Sequence, residues 1–289
     1  MHFPVMLREC LEYLAIRPDG VYLDATCGLG GHTGAIARQL TTGLLLACDR
    51  DPESLEIARA NTLDCADKIE FSQVGFSQVK NMLATKNNPQ LDGLLADLGV
   101  SKYQLTASER GFSFNADGPL DMRMQRGQGQ TARDIVNFAA ESELADLIYQ
   151  LGEERRSRRI ARAIVRARPI ETTGQLAKLI EAVVPRTGKI HPATQTFMAL
   201  RIAVNQEQEE LDALLDAIPR VVKPGGRVVI LTFMSTEDRK VKRSFQAMAK
   251  AGQVRLLTKH VVKPSVEEIR SNPPSRSAKL RAVEILEIA

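Results

Sequence analysis

Three aspartates and a glycine-rich turn are the residues whose types and spacing best suit chemistry. Asp24, Asp49 and Asp97 each close a short apolar run, and the glycine-rich turn at 28–34 follows the first of these runs. Because the carboxyl ends of parallel strands meet at one edge of a sheet, we expect the three carboxylates to surround one crevice. Glycines in the turn let a ligand approach the backbone closely. The pattern therefore predicts a ligand site at this edge.

The composition of this site argues against a dinucleotide. The pyrophosphate fingerprint G-x-G-x-x-G needs glycine where this chain has Thr33, and the Asp24 carboxylate would repel a pyrophosphate. Asp49 can accept hydrogen bonds from both hydroxyls of an adenosine ribose, and Phe76 can lie against the adenine. Asp97 adds a third acid, which suits a ligand with an amine and a positive sulfonium. We therefore predict S-adenosylmethionine as the cofactor.

Cysteine and histidine positions predict no metal site. The four cysteines stand singly, without a C-x-x-C pair, and the four histidines are scattered. Buried reduced thiols are the simpler interpretation, and they are typical of a cytoplasmic protein. No apolar run approaches the roughly 20 residues that cross a bilayer, so we expect no membrane partner.

Short apolar runs that alternate with helical patterns must position these residues. The strands are predicted at 21–25, 44–48, 69–74, 91–96, 227–233, 254–262 and 280–288. Asp51 is the predicted N-cap of a helix that has Pro52 in its first turn, and Ser235 with Asp238 has the spacing of a capping box. This rhythm predicts an α/β fold with a seven-stranded, mostly parallel sheet.

The middle of the chain departs from that rhythm. Apolar residues there recur at helical spacing, with Ser142 as the predicted cap of one helix and Thr173 at the start of another. We predict an inserted all-helical domain at 105–205, with the core formed by 1–104 and 206–289. The polar, glycine-containing stretch at 101–130 follows a strand end, and its length is typical of an active-site lid.

Overall charge is small, but its distribution is uneven. Thirty-nine lysines and arginines against 35 acids give a net charge of +4. The segment 153–168 holds seven arginines and two glutamates, whereas 205–216 holds five acids and no base. An arginine-rich helix is often only a solvated face, yet it can also bind nucleic-acid phosphates.

Several motifs resemble those of the RsmH (MraW) family of bacterial methyltransferases, over almost the whole chain. The longest is Glu-Arg-Gly-Phe-Ser-Phe at 109–114, followed by Asp-Gly-Pro-Leu-Asp-Met-Arg-Met at 117–124. Others are Asp-x-Thr-x-Gly-x-Gly-Gly-His at 24–32, Asp-Leu-Gly-Val-Ser at 97–101 and His-Pro-Ala-Thr at 191–194.

The resemblance implies a Rossmann-like, S-adenosylmethionine-dependent methyltransferase that acts on N4 of a decoding-centre cytosine in 16S rRNA. It implies an inserted helical substrate domain and a small ribosomal subunit as the partner. Asp97 is the predicted catalytic residue, because it can orient the target amine. The implied cofactor-binding residues are Gly30, Gly31, His32, Asp49, Phe76, Asp97 and Gln104.

The chain also departs from the family pattern. Lys102 and Tyr103 replace the usual serine and proline, Met234 replaces a histidine, and Gln195 replaces an arginine. A non-catalytic rRNA-binding or ribosome-assembly factor therefore remains an alternative, as does a nucleotide-dependent oxidoreductase. Candidates to stack on the target base are Tyr103, Phe112 and Phe114.

Overall fold

The computed structural model describes residues 4–87, 89–186, 188 and 190–287, which form two compact units. The first unit runs to Val100 and resumes at Glu209, and the second is Ser101–Gln208. Gln104, expected within the core range, falls in the second unit.

A seven-stranded sheet forms the centre of the first unit, in the order β3-β2-β1-β4-β5-β7-β6. Strands β1 to β5 are parallel to one another, and β7 runs antiparallel to both β5 and β6. The predicted seven-stranded, mostly parallel fold is thereby confirmed. The strands are β1 (Val21–Asp24), β2 (Leu44–Asp49), β3 (Ile69–Gln73), β4 (Leu91–Asp97), β5 (Val222–Thr232), β6 (Val254–Leu256) and β7 (Lys279–Ile285).

Helices cover the sheet in the first unit and make up the regular structure of the second. Those of the first unit are α1 (Leu7–Leu14), α2 (Gly31–Ala37), α3 (Pro52–Asn61), α4 (Val79–Thr85), α11 (Glu207–Val221, which begins in the second unit), α12 (Ser235–Lys250) and α13 (Val266–Ser271). Those of the second are α5 (Lys102–Thr106), α6 (Ala132–Phe138), α7 (Glu141–Gly152), α8 (Ser157–Ala167), α9 (Thr173–Val183) and α10 (Thr194–Asn205). The described part of the second unit contains no strand.

Alternating residues of the central strands build two hydrophobic cores, one on each face of the sheet. In β4, Leu94 belongs to one core and Leu95 to the other, and both are fully buried. Side chains of a strand alternate between faces, so a strand covered on both sides needs an uninterrupted apolar run. This explains why the central strands were predictable from their apolar runs.

The strand order reverses between β1 and β4, which are neighbours although β2 and β3 separate them in the chain. At such a switch point the connections that follow the two strands leave toward opposite faces and open a crevice at the carboxyl ends. Asp24 ends β1 and Asp97 ends β4. The topology therefore puts two of the three predicted acids at this crevice.

Three predicted strands have ends that differ from those observed. β6 ends at Leu256 rather than at residue 262, because the Thr258 hydroxyl accepts the Ala282 N–H and interrupts the ladder. β5 extends back to Val222, which pairs with Leu91 before the chain bulges at 223–226. The last predicted strand ends at Ile285, and residue 288 lies outside the described residues.

Two predicted helix caps lie one or two residues too late. Helix α12 is capped at Met234, not Ser235, and Glu237 accepts the N–H groups of Phe233 and Met234. Helix α7 is capped at Ala140 rather than Ser142. In both, a glutamate at the third helical position accepts the N-cap N–H, and this local bond outweighs the hydroxyl cap. The predicted Asp51 cap with Pro52 is confirmed.

Candidate functional site

The turn after β1 is tied to the ends of two neighbouring strands. The Cys27 N–H donates to the Cys48 carbonyl at the end of β2, over 2.8 Å. The Thr26 hydroxyl accepts the Asp97 N–H at the end of β4, over 2.6 Å. These bonds fix the turn across β1, β2 and β4, so its backbone forms a rigid rim of the crevice.

The glycines of this turn have different surroundings. A Cβ at Gly28 would meet nothing nearer than the Thr26 carbonyl oxygen at 3.9 Å, and the φ of Gly28 is +52°. A Cβ at Gly30 would lie 3.1 Å from the Ala58 Cα in α3, and one at Gly31 would lie 3.1 Å from the Pro4 ring. Gly28 therefore borders open space, whereas Gly30 and Gly31 permit close packing of α3 and the N-terminal segment.

Asp49 closes β2, and its carboxylate organises the start of the next loop. Its Oδ2 accepts the Gly28 N–H at 2.8 Å, and its Oδ1 accepts the Asp51 N–H at 2.9 Å. Burial raises the Asp49 pKa to about 6, against the lowering effect of these two bonds. The side chain remains partly accessible, so its oxygens can accept further hydrogen bonds.

Asp24 lies beneath the turn and has no exposed surface. Its carboxylate accepts the Thr33 hydroxyl at 2.7 Å and the Thr26 N–H at 3.2 Å. Burial raises its pKa to about 6, and the charge of Asp49 adds to the increase. Asp24 therefore supports the turn and contributes negative potential to the crevice.

Asp97 has the most perturbed carboxyl of the three. Its Oδ1 is buried and has no hydrogen-bond partner among the described residues, and its Oδ2 lies 3.6 Å from His32 Nδ1. Burial raises the Asp97 pKa to about 8, and the charges of Asp24 and Glu237 raise it further. A buried acceptor without a partner is costly unless a ligand supplies a donor. These properties are typical of a functional carboxyl.

The N-terminal segment holds the predicted site residue His32 from the side opposite Asp97. His32 is 5% exposed, and its Nε2 lies 3.0 Å from the Val5 carbonyl oxygen. The next N–H, that of Met6, donates over 2.6 Å to Glu268 in α13. Sequence reasoning missed this arrangement, because Met6 and Glu268 are 262 residues apart and no local pattern links them.

The remaining two predicted cofactor residues lie in separate units. Phe76 follows β3, begins a short 3-10 turn, and packs half-buried against one core of the sheet. Gln104 belongs to α5 of the second unit and is 4% exposed. Its side-chain carbonyl accepts the Ser101 N–H at 2.9 Å in a capping box. Its predicted role as a cofactor contact stays a prediction.

Sequence reasoning also missed Glu237 as a site residue. It is 4% exposed, caps α12 directly after β5, and raises the pKa of Asp97. Its signal in the sequence is its place three residues after Met234, where a glutamate completes a capping box. Met234, a departure from the family pattern, is thus the residue whose N–H this glutamate accepts.

The predicted lid stretch is a packed segment of the second unit. Asn205 in α10 donates to the Met122 carbonyl and accepts the Met124 N–H, both over 2.8 Å. The guanidinium of Arg110, 1% exposed, donates to the carbonyls of Arg123 and Met124. These bonds satisfy polar backbone groups that burial would otherwise leave unpaired.

Two of the three aromatics predicted to stack on a base pack inside the second unit. Phe112 is 7% exposed. The Phe114 ring lies 4.6 Å from the His191 ring and 4.9 Å from the Phe197 ring. Tyr103, in α5, is half-buried. Phe112 is thus buried, Phe114 is half-buried against two rings, and a base-stacking role for these aromatics stays a prediction.

Neither a metal cluster nor a membrane helix occurs within the described residues. No three carboxylate, histidine or cysteine side chains there come together as metal ligands. Among the same residues, no helix is long and apolar enough to cross a bilayer. All four cysteines are buried and unpaired as disulfides.

Comparison with known proteins identifies the family. The model of the MraW methylase family matches residues 1–286. A protein from Solibacter usitatus named ribosomal RNA small subunit methyltransferase H is 59% identical over 285 residues, which cover 99% of this chain and all of that protein. Proteins of the same name from Acidobacterium capsulatum and Koribacter versatilis are 49% and 50% identical, over 98% and 97% of this chain and 98% and 93% of their own lengths.

These matches confirm the resemblance that the motifs indicated, and the oxidoreductase alternative is wrong. The three acids and the open glycine turn lie at the carboxyl ends of the strands, the edge where open α/β sheets bind ligands. The chain belongs to the MraW methylase family.

Proposed function

We propose that this protein transfers a methyl group from S-adenosylmethionine to N4 of a decoding-centre cytosine in 16S rRNA. Family membership and the names of its relatives support a ribosomal RNA of the small subunit as substrate. The observation that carries the proposal is Asp97: a buried carboxyl oxygen without a partner among the described residues, at the switch point of the sheet.

The residues of the crevice fit S-adenosylmethionine. Asp49 stands at the end of β2 with accessible oxygens, where a carboxylate can accept ribose hydroxyls. The open side of Gly28 lets a ligand lie against the backbone of the turn. Burial, and to a smaller extent repulsion by neighbouring acids, raises the pKa values of Asp24, Asp49 and Asp97, so a cation in the crevice stabilises their charged forms.

The chemistry of the transfer needs an oriented amine and a place for one proton. S-adenosylmethionine supplies a methyl group on a positive sulfur, and leaves as the neutral thioether once the nitrogen–carbon bond has formed. The unpartnered Oδ1 of Asp97 can accept a hydrogen bond from the target amine, which holds the nitrogen lone pair toward the methyl carbon. Once the positive charge of the cofactor has stabilised its ionised form, Asp97 can also take the proton that the nitrogen loses.

His32 and Glu237 are positioning residues in this mechanism. His32 Nδ1 faces Oδ2 of Asp97, which leaves Oδ1 for the substrate. The charge of Glu237 keeps the Asp97 pKa high, which favours uptake of the proton. Leu98, Gly99 and Val100 follow Asp97 and supply no aromatic ring, so a ring that stacks on the target base must come from elsewhere.

The predicted helical substrate domain corresponds to the second unit, and we assign RNA binding to it. Helix α8 and the turn before it expose Arg155, Arg158, Arg159, Arg162 and Arg166. Guanidiniums on one exposed face neutralise phosphates and release counterions, which favours a polyanionic partner. The substrate on this account is 16S rRNA within a small ribosomal subunit, and the protein acts in the cytoplasm.

A second candidate function is a non-catalytic ribosome-assembly factor, which the replacements at Lys102, Tyr103 and Met234 favour. Mass spectrometry of 16S rRNA from cells with and without the gene separates the two functions. The proposal predicts that deletion removes one methyl group from a decoding-centre cytosine, and that wild-type protein but not Asp97→Asn restores it. Unchanged cytosine methylation with altered subunit assembly would establish the second candidate instead.

A further inference from the structure

The second unit exposes two aromatic side chains, Tyr149 in α7 and Phe138 near the end of its arginine-rich helix. Phe138, the last residue of α6, is 74% exposed. A single exposed phenylalanine is common on protein surfaces, but aromatic rings combined with a positively charged surface are how proteins hold single-stranded nucleic acids. Phe112 and Phe114 pack inside the unit, so Phe138 is the phenylalanine that remains open to a partner on this surface.

Helix α8 presents its arginines on a single face. Its buried residues are Ser157, Ile160, Ala161 and Ile164. The arginine face, which we define as Arg155, Arg158, Arg159, Arg162 and Arg166, lies on the exposed side of this helix and the turn before it, at spacings of three and four residues. Of these five, the described residues offer a carboxylate partner to Arg162 alone, in Glu141 at 3.4 Å.

Hydrogen bonds fix Phe138 next to the C-terminal end of α8. The Arg168 guanidinium donates to the carbonyls of Val136 and Ala139, which flank Phe138 on either side. The side chain of Asn137 exchanges two hydrogen bonds with the backbone of Ile170. The backbone around Phe138 is therefore fixed beside the C-terminal end of α8, the helix that carries the arginine face.

Three of the acids near this surface are already engaged. Glu141 pairs with Arg162, Glu171 pairs with Arg133, and Glu143 accepts the Ala140 N–H. Their negative charge is thus partly neutralised locally, and four arginines of the face keep theirs for a partner. Charge complementarity points to a polyanion rather than to an apolar protein segment.

We propose that this surface binds an unpaired stretch of RNA, with phosphates on the arginine face and one base stacked on Phe138. A duplex hides its base faces, whereas an unpaired base can stack on an aromatic ring. The inference deepens the proposed function and rests on it, because it takes RNA as the substrate class. It adds that the RNA is single-stranded where it crosses this surface.

Fluorescence anisotropy with two labelled RNAs tests the inference. One is a single strand of roughly 12 nucleotides, within the usual site size, and the other a hairpin duplex with the same number of phosphates. We expect Phe138→Leu to weaken single-strand binding by about tenfold and to leave duplex binding unchanged, because only the unpaired strand offers a base face. Phe138→Tyr should retain wild-type affinity.

Matched controls distinguish the loss of base stacking from the nonspecific effect of removing an exposed apolar side chain. Leu63, which is 75% exposed in the first unit, provides the control for removing an exposed apolar side chain, as Leu63→Ala. A single strand with abasic sites at every position should bind wild type and Phe138→Leu equally. The inference is overturned if Phe138→Leu leaves single-strand affinity unchanged, which would point to a protein partner, or if it weakens both RNAs equally.

Failure of the inference and failure of the proposed function are distinguishable. Normal methyl transfer to small subunits, with no effect of Phe138→Leu on single-strand affinity, overturns the inference alone. Absence of methyl transfer, with Phe138-dependent binding of the single strand intact, overturns the enzyme function and supports the binding surface.

Discussion

In the first unit the charged groups of interest are carboxyls buried at strand ends, whereas in the second they are guanidiniums exposed along one helix. Burial raises the pKa values of Asp24, Asp49 and Asp97 into or near the neutral range. Water surrounds the arginines, so salt screens their charges. The crevice should therefore respond to pH, and the arginine face to ionic strength.

The same contrast separates ligands by chemistry. A buried carboxyl site binds a small cation whose charge replaces a bound proton, whereas an exposed cationic face binds a polymer by releasing counterions. A methyltransferase acting on RNA needs both, because the cofactor is small and positive and the substrate is large and negative. Variants of the crevice acids should therefore change cofactor binding and its pH dependence, whereas variants of the arginine face should change RNA binding and its salt dependence.

The largest expected effect is that of Asp97→Asn on methyl transfer. The amide cannot accept the proton, so we expect kcat to fall by about 100-fold or more, with a smaller change in cofactor affinity. Single-turnover transfer of a labelled methyl group measures this. As a control, Asp67→Asn changes an exposed acid of the same unit and should leave the rate of methyl transfer unchanged. A rate for Asp97→Asn within about threefold of wild type would show that Asp97 takes no part in the chemistry.

Asp49→Ala should affect cofactor binding rather than RNA binding. The substitution removes the ribose acceptor and leaves the Gly28 N–H without its carboxylate, so we expect the cofactor Kd to rise by about 30-fold. Asp49→Asn retains one acceptor oxygen, so its cofactor Kd should lie between those of wild type and Asp49→Ala. Isothermal titration calorimetry measures both, and an unchanged Kd for Asp49→Ala would place the ribose elsewhere.

Charge reversal on the arginine face should affect RNA binding rather than cofactor binding. The double substitution Arg158→Glu with Arg162→Glu is expected to weaken RNA binding by about tenfold at low salt. It should also reduce the slope of the logarithm of the RNA association constant against the logarithm of salt concentration, by about 0.7 for each phosphate that the face no longer neutralises. Cofactor affinity should not change. Arg270→Glu with Arg276→Glu makes the same change on exposed arginines of the first unit, and an equal loss there would reduce the arginine face to a solvated helix.

The smallest effect concerns stability and pH. Asp97 has a pKa of about 8 when folded, against an ordinary value of 3.8, so the folded protein holds more protons than the unfolded chain between these limits. The free energy of unfolding should therefore decrease as pH rises from about 4 to about 8. Asp97→Asn removes the contribution of Asp97, while the raised pKa values of Asp24 and Asp49 keep part of the dependence. The stability of this variant relative to wild type should therefore increase with pH in urea titrations, and a difference that stays constant between pH 4 and pH 8 would contradict the raised pKa of Asp97.

Features that depend on residues close together in the chain could be predicted from the sequence, whereas features that depend on distant residues could not. The central strands were predictable because apolar runs such as that of β4 need no partner to be recognised. The early end of β6 was not, because the Thr258 hydroxyl interrupts a ladder with a strand more than 20 residues away. The cap of α12 was misplaced by one residue because two nearby acids, Glu237 and Asp238, fit two different caps.

The candidate site was predictable in part for the same reason. Strand-end acids follow from the strands, so Asp49 and Asp97 were found from local pattern. The support of His32 by Val5, and of Met6 by Glu268, joins distant parts of the chain and has no local signal. Phe138 was overlooked because the exposure of a phenylalanine depends on how its helix packs, which composition does not reveal.

Methyl transfer by the purified protein tests the central claim most directly. Small ribosomal subunits that lack the modification are incubated with the protein and S-adenosylmethionine carrying an isotopically labelled methyl group, and the 16S rRNA is digested and analysed by mass spectrometry. We expect labelled N4-methylcytidine from a decoding-centre cytosine with wild type, and none with Asp97→Asn. Wild-type protein that binds S-adenosylmethionine but places no label on that cytosine would contradict the account.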